Sequence, residues 1–363
     1  MNDSADGYTL VTGGAGFIGT NLVQRLAESG QDVVVLDNFS RAGVERNASW
    51  LTSLMPRRVR VVHGDVRDAN GIASWVRGAG SVFHFAAQVA VTTSLTDPIA
   101  DFETNARGTL NVLEAIRRHP RPPALVFTST NKVYGALPHI ALVKRPTRYE
   151  PGDPAILRAG IAEDQRLDFH SPYGCSKGAA DQYVLDYARS FDLPGVVFRM
   201  SCIYGPHQCG NEDQGWLAHF VLSALKQLPF TLYGDGLQVR DALYVDDLVD
   251  ALVAANARAP DLAGRAFNIG GGPNNTTSLV EALDHVSELT GRLPPTEREA
   301  ERVGDQKYYV SNTGLFEQAT GWAPKVTLAD GLERLTEWLR ENQLRASEQF
   351  SARAQTMPDA MNV

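Results

Sequence analysis

Thr12-Gly13-Gly14-Ala15-Gly16-Phe17-Ile18-Gly19 stands between an apolar run, Tyr8 to Val11, and Leu22, Val23 and Leu26 at helical spacing. Strand, glycine turn and helix in that order build the ligand-binding corner of a parallel sheet. Gly13 permits the tight turn, Gly16 lets a pyrophosphate approach the backbone at the helix N-terminus, and Gly19 lets the helix pack closely on the strand. A second apolar run, Val33 to Leu36, ends in Asp37. That is about 20 residues on, where a carboxylate accepts both hydroxyls of an adenosine ribose. The pattern predicts NAD as cofactor; Arg41 is near enough in sequence to hold a 2′-phosphate and so keeps NADP in view.

Further apolar runs predict strands at Val59 to Val62, Ser81 to Phe85, Leu125 to Ser129 and Val196 to Met200, with helical patterns such as Leu110, Val112, Leu113 and Ile116 between them. The expected fold is α/β, a Rossmann-type doubly wound parallel sheet with helices on both faces. After about Ser201 the pattern loosens. Gly205-Pro206, Gly234-Asp235-Gly236, Gly270 to Pro273 and Pro294-Pro295 separate short elements, which suits a smaller, discontinuous α/β substrate lobe. The boundaries predicted are 7–202 and about 239–263 for the dinucleotide domain, and about 203–238 and 264–345 for the substrate lobe. The segment 137–164, with four prolines and little periodicity, is expected to lie over the active site. Leu332, Leu335 and Leu339 put a last helix at 328–342, and 346–363 reads as a disordered tail.

The composition excludes several partners. The 363 residues are 43 % hydrophobic and 21 % charged with a formal net charge of −8, and no run of Lys or Arg offers a nucleic-acid surface. Cys175, Cys202 and Cys209 lack metal or redox spacing, so they read as reduced thiols and no metal is expected. A polar N-terminus and the lack of any bilayer-length apolar stretch predict a cytoplasmic protein with no membrane partner.

Chemistry enters with Ser171-Pro172-Tyr173-Gly174-Cys175-Ser176-Lys177, where a phenol and an ammonium lie one helical turn apart. A phenol titrates near ~10 and must come down by about 3 pH units to act as a base near neutrality. A cation at about 4 Å in an effective dielectric near 20 supplies an effect of that size, about 4 kcal/mol.

Six other motifs accompany this pair: Gly64-Asp65-Val66-Arg67-Asp68, His84-Phe85-Ala86-Ala87, Asn105-x-x-Gly108-Thr109, Thr130-x-x-Val133-Tyr134-Gly135, Tyr204-Gly205-Pro206 and Gly234-Asp235-Gly236-x-Gln238-x-Arg240-Asp241. Together with the glycine turn they resemble the extended short-chain dehydrogenase/reductase family, in particular its NAD-dependent sugar-nucleotide epimerases and dehydratases, over roughly residues 7 to 345. The resemblance implies Tyr173 as base, Lys177 on the nicotinamide ribose and Thr130 on the reacting hydroxyl. It implies a cofactor wall of Gly13, Gly16, Phe17, Ile18, Asp37, Asn38, Arg41, Asp65, Val66, Ala86, Ala87 and Gln88, supported by Asn105. Substrate contacts would come from Gln88, Thr93, Asn131, Lys132, Cys202, His207, Gln214, Arg240 and Arg302. The stretches around Ser129-Thr130-Asn131-Lys132 and 165–183, with Asp213-Gln214-Gly215-Trp216, are most similar to the branch of epimerases acting on CDP-linked sugars. Relatives pair through the helices around Thr109 to Ile116 and Ala179 to Phe191, which implies a homodimer or larger assembly.

Departures from the family pattern frame the function. Cys202 and His207 replace an Asn and an Arg that help hold a diphosphate, so a sugar nucleotide and a smaller nucleoside both remain as ligand classes. Asn131 and Lys132 replace the Asp-Glu pair of the 4,6-dehydratases, which favours epimerisation over dehydration. The remote alternative is an NAD-sensing protein without turnover.

Overall fold

Strands buried on both faces are written as unbroken apolar runs, and strands of this kind form the middle of a seven-stranded main sheet whose two edges, Val59–His63 and Arg265–Ile269, carry polar residues. The computed structural model describes residues 7–208, 215–302 and 305–355, with side chains to Asn342. The strands are β1 (Tyr8–Thr12), β2 (Val33–Asp37), β3 (Val59–His63), β4 (Ala79–His84), β5 (Ala124–Thr130), β6 (Gly195–Met200) and β7 (Arg265–Ile269). They lie in the order β7-β6-β5-β4-β1-β2-β3, every neighbouring pair parallel. The order reverses between β1 and β4, the crevice where such sheets take ligands.

The helices that concern the site are α1 (Phe17–Glu28), α2 (Val44–Leu54), α3 (Pro98–Phe102), α4 (Gly108–Arg117), α5 (Ser171–Phe191), α6 (Val245–Ala257) and α7 (Leu328–Gln355). One face of the sheet buries Leu22, Val23 and Leu26 of α1 with Leu248 and Leu252 of α6. The other buries Val112, Leu113 and Ile116 of α4 with Ala180 and Val184 of α5. A separate core gathers Leu217, Phe220, Val221, Phe230, Leu283, Leu332 and Leu335, so the leucine register of the last helix packs into the small lobe. The helical backbone of α7 continues beyond Asn342 to Gln355, through residues with good helix propensity; 356–363 lie outside the described residues.

The two lobes are more interlaced than the predicted boundaries allow. Strand β7, expected in the substrate lobe, forms the edge of the main sheet, and the Gly314–Thr320 helix packs on it through Phe316, whose ring meets Phe198 and Phe267 at centroid distances of 5.0 and 5.2 Å. Conversely, Val239–Tyr244, expected with the dinucleotide domain, pairs with Cys202–Tyr204, Thr276–Ser278 and Tyr308–Tyr309 in a small sheet.

The segment 137–164 also differs from expectation. It forms a hairpin, Leu142–Lys144 with Tyr149–Pro151, and a short helix, Pro154–Ala159, and it contributes no residue to the wall of the central cavity. Arg148 closes on Glu281 at 2.5 Å, and Leu137, Ile140 and Ile161 pack with Val239, Tyr309 and Val310, so the prolines serve a stitch between lobes. No helix among the described residues is long and apolar enough to cross a membrane.

Candidate active site

One cavity of about 670 Å³ runs from the glycine turn, past the ends of β4 and β5, to the small lobe. At its first end Gly13 has φ +67°, and a Cβ there would lie 2.7 Å from the Ala86 nitrogen, so the turn tolerates only glycine. The Asp37 carboxylate accepts from Ala15 N–H at 3.1 Å and Phe39 N–H at 3.0 Å. Burial pushes this carboxyl up, and those backbone donors oppose the change. Asp65 is held by an Arg67 fork at 2.9 and 2.7 Å and by Asn38 Nδ2 at 2.9 Å, and the Arg67 hydrogen bonds keep it well below the usual carboxylate range. Phe17, Ile18, Arg41, Val66, Ala86 and Ala87 line the same end.

At the middle, Tyr173 and Lys177 rise from α5 beneath the end of β5. The phenol is hydrogen-bonded to Thr130, and burial pushes it up to about 12. The Lys177 ammonium donates to the Thr128 carbonyl at 2.6 Å and lies 4.3 Å from the Phe127 ring centroid; burial pushes it down to about 7. Spacing alone thus misjudged this pair: one turn of helix brings lysine to the tyrosine's neighbourhood, but its nearest acceptor is a strand carbonyl, and desolvation outweighs its charge at the phenol. Two buried hydroxyls on the same wall, Ser129 Oγ and Thr92 Oγ1, find no hydrogen-bond partner among the described residues. A glycine cradle, an acidic residue closing β2 and orphaned hydroxyls along one continuous cavity fit a dinucleotide.

The far end is cationic. Arg240 donates to Asp305 Oδ1 at 2.7 Å, and the Lys132 ammonium lies 3.7 Å from the same oxygen. Burial pushes Lys132 down to about 8, with Arg240 adding and Asp305 opposing. Arg302 stacks over Tyr233 at 3.7 Å. Asn131 Nδ2 reaches Gln306 Oε1 at 3.5 Å, and Cys202 accepts from Trp216 Nε1 at 3.3 Å.

His207 lines the cavity wall. Its ring lies between Trp50 at 4.3 Å and Trp338 at 5.2 Å, and its carbonyl accepts from Asn47, which also donates to Ala15 of the glycine turn. Burial pushes the imidazole down to about 4, so it is neutral at pH 7. Gln88, Thr93 and Asn105 are near the cavity but outside its lining, where Val89, Thr92 and Thr104 stand instead. Gln214 lies outside the described residues. Asp305 and Ser129 are not among the expected site residues, although Ser129 adjoins Thr130 and Asp305 lies three residues after Arg302.

A nucleotide cradle opening onto a buried tyrosine–lysine helix is the architecture of the short-chain dehydrogenase/reductases in their extended, NAD-dependent form. The NAD dependent epimerase/dehydratase family matches residues 9–270, and the chain belongs to that family. A CDP-paratose 2-epimerase of Salmonella typhi is 41 % identical over 336 residues, covering 91 % of this chain and 98 % of that one. DesIV, a dTDP-glucose 4,6-dehydratase of Streptomyces venezuelae solved with NAD, has a TM-score of 0.79 at 30 % identity, covering 93 % of this chain and 98 % of its own. A UDP-glucose 4-epimerase of Thermotoga maritima, solved with UDP-glucose, gives 0.78 at 30 % identity, covering 93 % and 99 %.

Proposed function

We propose that this enzyme epimerises a nucleotide-linked sugar, with a CDP-linked sugar as first choice because of the 41 % identity to a CDP-paratose 2-epimerase. One observation carries the choice of reaction: the residues after Thr130 are an amide tied to Gln306 and a lysine facing Asp305, so the carboxylic acid pair of a dehydratase is missing from that position. Bound NAD supplies the hydride acceptor and donor. Tyr173 takes the proton of one sugar hydroxyl as hydride leaves the same carbon, Thr130 fixes that hydroxyl, and Lys177 holds the ribose side of the cofactor. The proton returns from Tyr173 once the transient ketone has turned its other face to the hydride. Lys132, Arg240 and Arg302 favour a diphosphate over a bare nucleoside, since charge-assisted contacts dominate phosphate binding.

A panel of CDP-, UDP- and dTDP-linked sugars, deuterated at the carbon to be inverted, tests the reading. The product should have unchanged mass and retained label; loss of one water would establish dehydration instead. Asp37→Ala should weaken NAD binding at least tenfold, since a ribose-facing carboxylate contributes charge-assisted hydrogen bonds of about 1.5–3 kcal/mol. Unchanged NAD affinity in a direct titration would remove Asp37 from the cofactor site.

The enzyme is further proposed to be a cytoplasmic homodimer. Helix α4 turns Val112, Leu113 and Ile116 inward, so the apolar surface left for a second copy is Ile99 and Phe102 on α3 with Tyr183 and Phe191 on α5. A light-scattering mass of one chain at micromolar concentration would refute the dimer.

A further inference from the structure

Asp101 is fully buried, lies outside the cavity wall, and has no part in the chemistry above. Its Oδ2 accepts from Ser176 Oγ at 2.5 Å and its Oδ1 from Asn105 Nδ2 at 3.1 Å. Ser176 immediately precedes Lys177 and lies three residues after Tyr173, so this carboxylate grips the turn of α5 that carries both groups. Asn105 exchanges hydrogen bonds with the backbone of Gln88, at 2.8 Å from Gln88 N–H and 3.0 Å to its carbonyl, and also reaches Ser176 Oγ at 3.0 Å. It stands on a π turn, Glu103–Arg107, a widening of the helix that recurs at functional positions.

Charge singles out Asp101 as well. Two carboxylates act on Lys177, Asp181 and Asp101. Asp181 is already closed by an Arg199 fork at 2.9 and 3.0 Å. Among the described residues the Asp101 carboxylate accepts only from the neutral donors Ser176 and Asn105, and it acts on Lys177 through its charge. Around it, α5 presents Tyr173 and Lys177, the Val91–Thr96 helix presents no charged group, Glu103 acts on Arg67, and Arg107 is exposed.

We propose that Asp101 is a positioning residue for the reaction: through Ser176 and Asn105 it fixes the Tyr173–Lys177 turn against the segment that follows β4, and with Asp181 it places negative charge near the Lys177 ammonium. The inference rests on Tyr173 and Lys177 being the reacting pair. Its charge favours the protonated forms of both groups. Burial pushes Lys177 down to about 7 and Asp101 opposes that, while burial pushes Tyr173 up to about 12 and Asp101 adds to it. Removing the charge therefore makes both groups lose their protons at lower pH.

The test compares kcat, KM, bound NAD and thermal stability for the unmutated enzyme, Asp101→Asn, Ser176→Ala and Tyr173→Phe, with kcat followed from about pH 5.5 to 9.5. Asp101→Asn should keep NAD and KM, lose kcat about 10- to 100-fold, and move the acid limb of kcat toward acid by about one pH unit. Ser176→Ala keeps the charge, so it should lower kcat and leave the limb in place. An unaltered kcat and limb in Asp101→Asn, or a loss that only tracks lost NAD and lost folded protein, overturns the proposal. Should Asp101→Asn not fold, an unaltered kcat in Ser176→Ala overturns it. A near-normal rate in Tyr173→Phe would overturn the reacting pair itself, whereas an inactive Tyr173→Phe beside a normal Asp101→Asn removes Asp101 alone.

Discussion

Tyr173→Phe should fold, retain NAD and lose turnover by about two to four orders of magnitude, the usual contribution of a positioned proton-transfer group. The phenol lies at the meeting point of α5 and β5 and is hydrogen-bonded to Thr130, whose hydroxyl also caps the following turn through Lys132 N–H at 3.2 Å. Loss of one oxygen there removes the proton acceptor and leaves the wall of the cavity unchanged. Lys177 by itself does not bring the phenol down, because burial outweighs it. An oxidised nicotinamide bound beside Lys177 would add positive charge next to the phenol and favour its deprotonation. A rate within tenfold of the unmutated enzyme, measured with equal bound NAD, would place the base elsewhere.

Arg199→Met should destabilise the fold by about 3–5 kcal/mol, because it strands Asp181 as an uncompensated buried charge. Arg199 and Asp181 have side-chain exposures of 5 % and 0 %, and the guanidinium also donates to the Tyr134 hydroxyl at 3.1 Å, which donates to Asn268 Oδ1 at 2.7 Å. This chain of contacts ties α5 to β6, β7 and the turn after β5. Asp181→Asn combined with Arg199→Met should recover part of the loss, since the stranded charge goes with the carboxylate. Denaturant unfolding gives the comparison; a loss under about 1 kcal/mol for Arg199→Met would mean that water reaches the pair.

The five inner strands were readable because both their faces are covered, which leaves continuous apolar runs in the sequence, and the edge strand Val59–His63 by its three valines. The edge strand Arg265–Ile269 carries Arg265 and Asn268, has no such run, and was assigned to the wrong lobe on pattern alone. The three- and four-residue strands of the small lobe are too short to show a period. In the site, local spacing revealed the glycine turn, Asp37 and the Tyr173–Lys177 turn. Contacts between distant segments were hidden: Asp305 on Lys132 and Arg240, the tryptophans around His207, and Ser176 on Asp101. Thr92 in place of Thr93 reflects a different limit, since one residue of phase on a short helix decides which side chain faces the cavity.

Because β7 and the Gly314–Thr320 helix return to the main sheet after the small lobe has begun, the order of synthesis matters. A nascent chain can pair β1 to β6 early, but the outer edge of β6 stays uncovered until Ile269 has emerged from the ribosome, and the face beside it until Phe316 follows. Neither lobe can therefore be excised, or exchanged with a relative's, as one continuous stretch of gene.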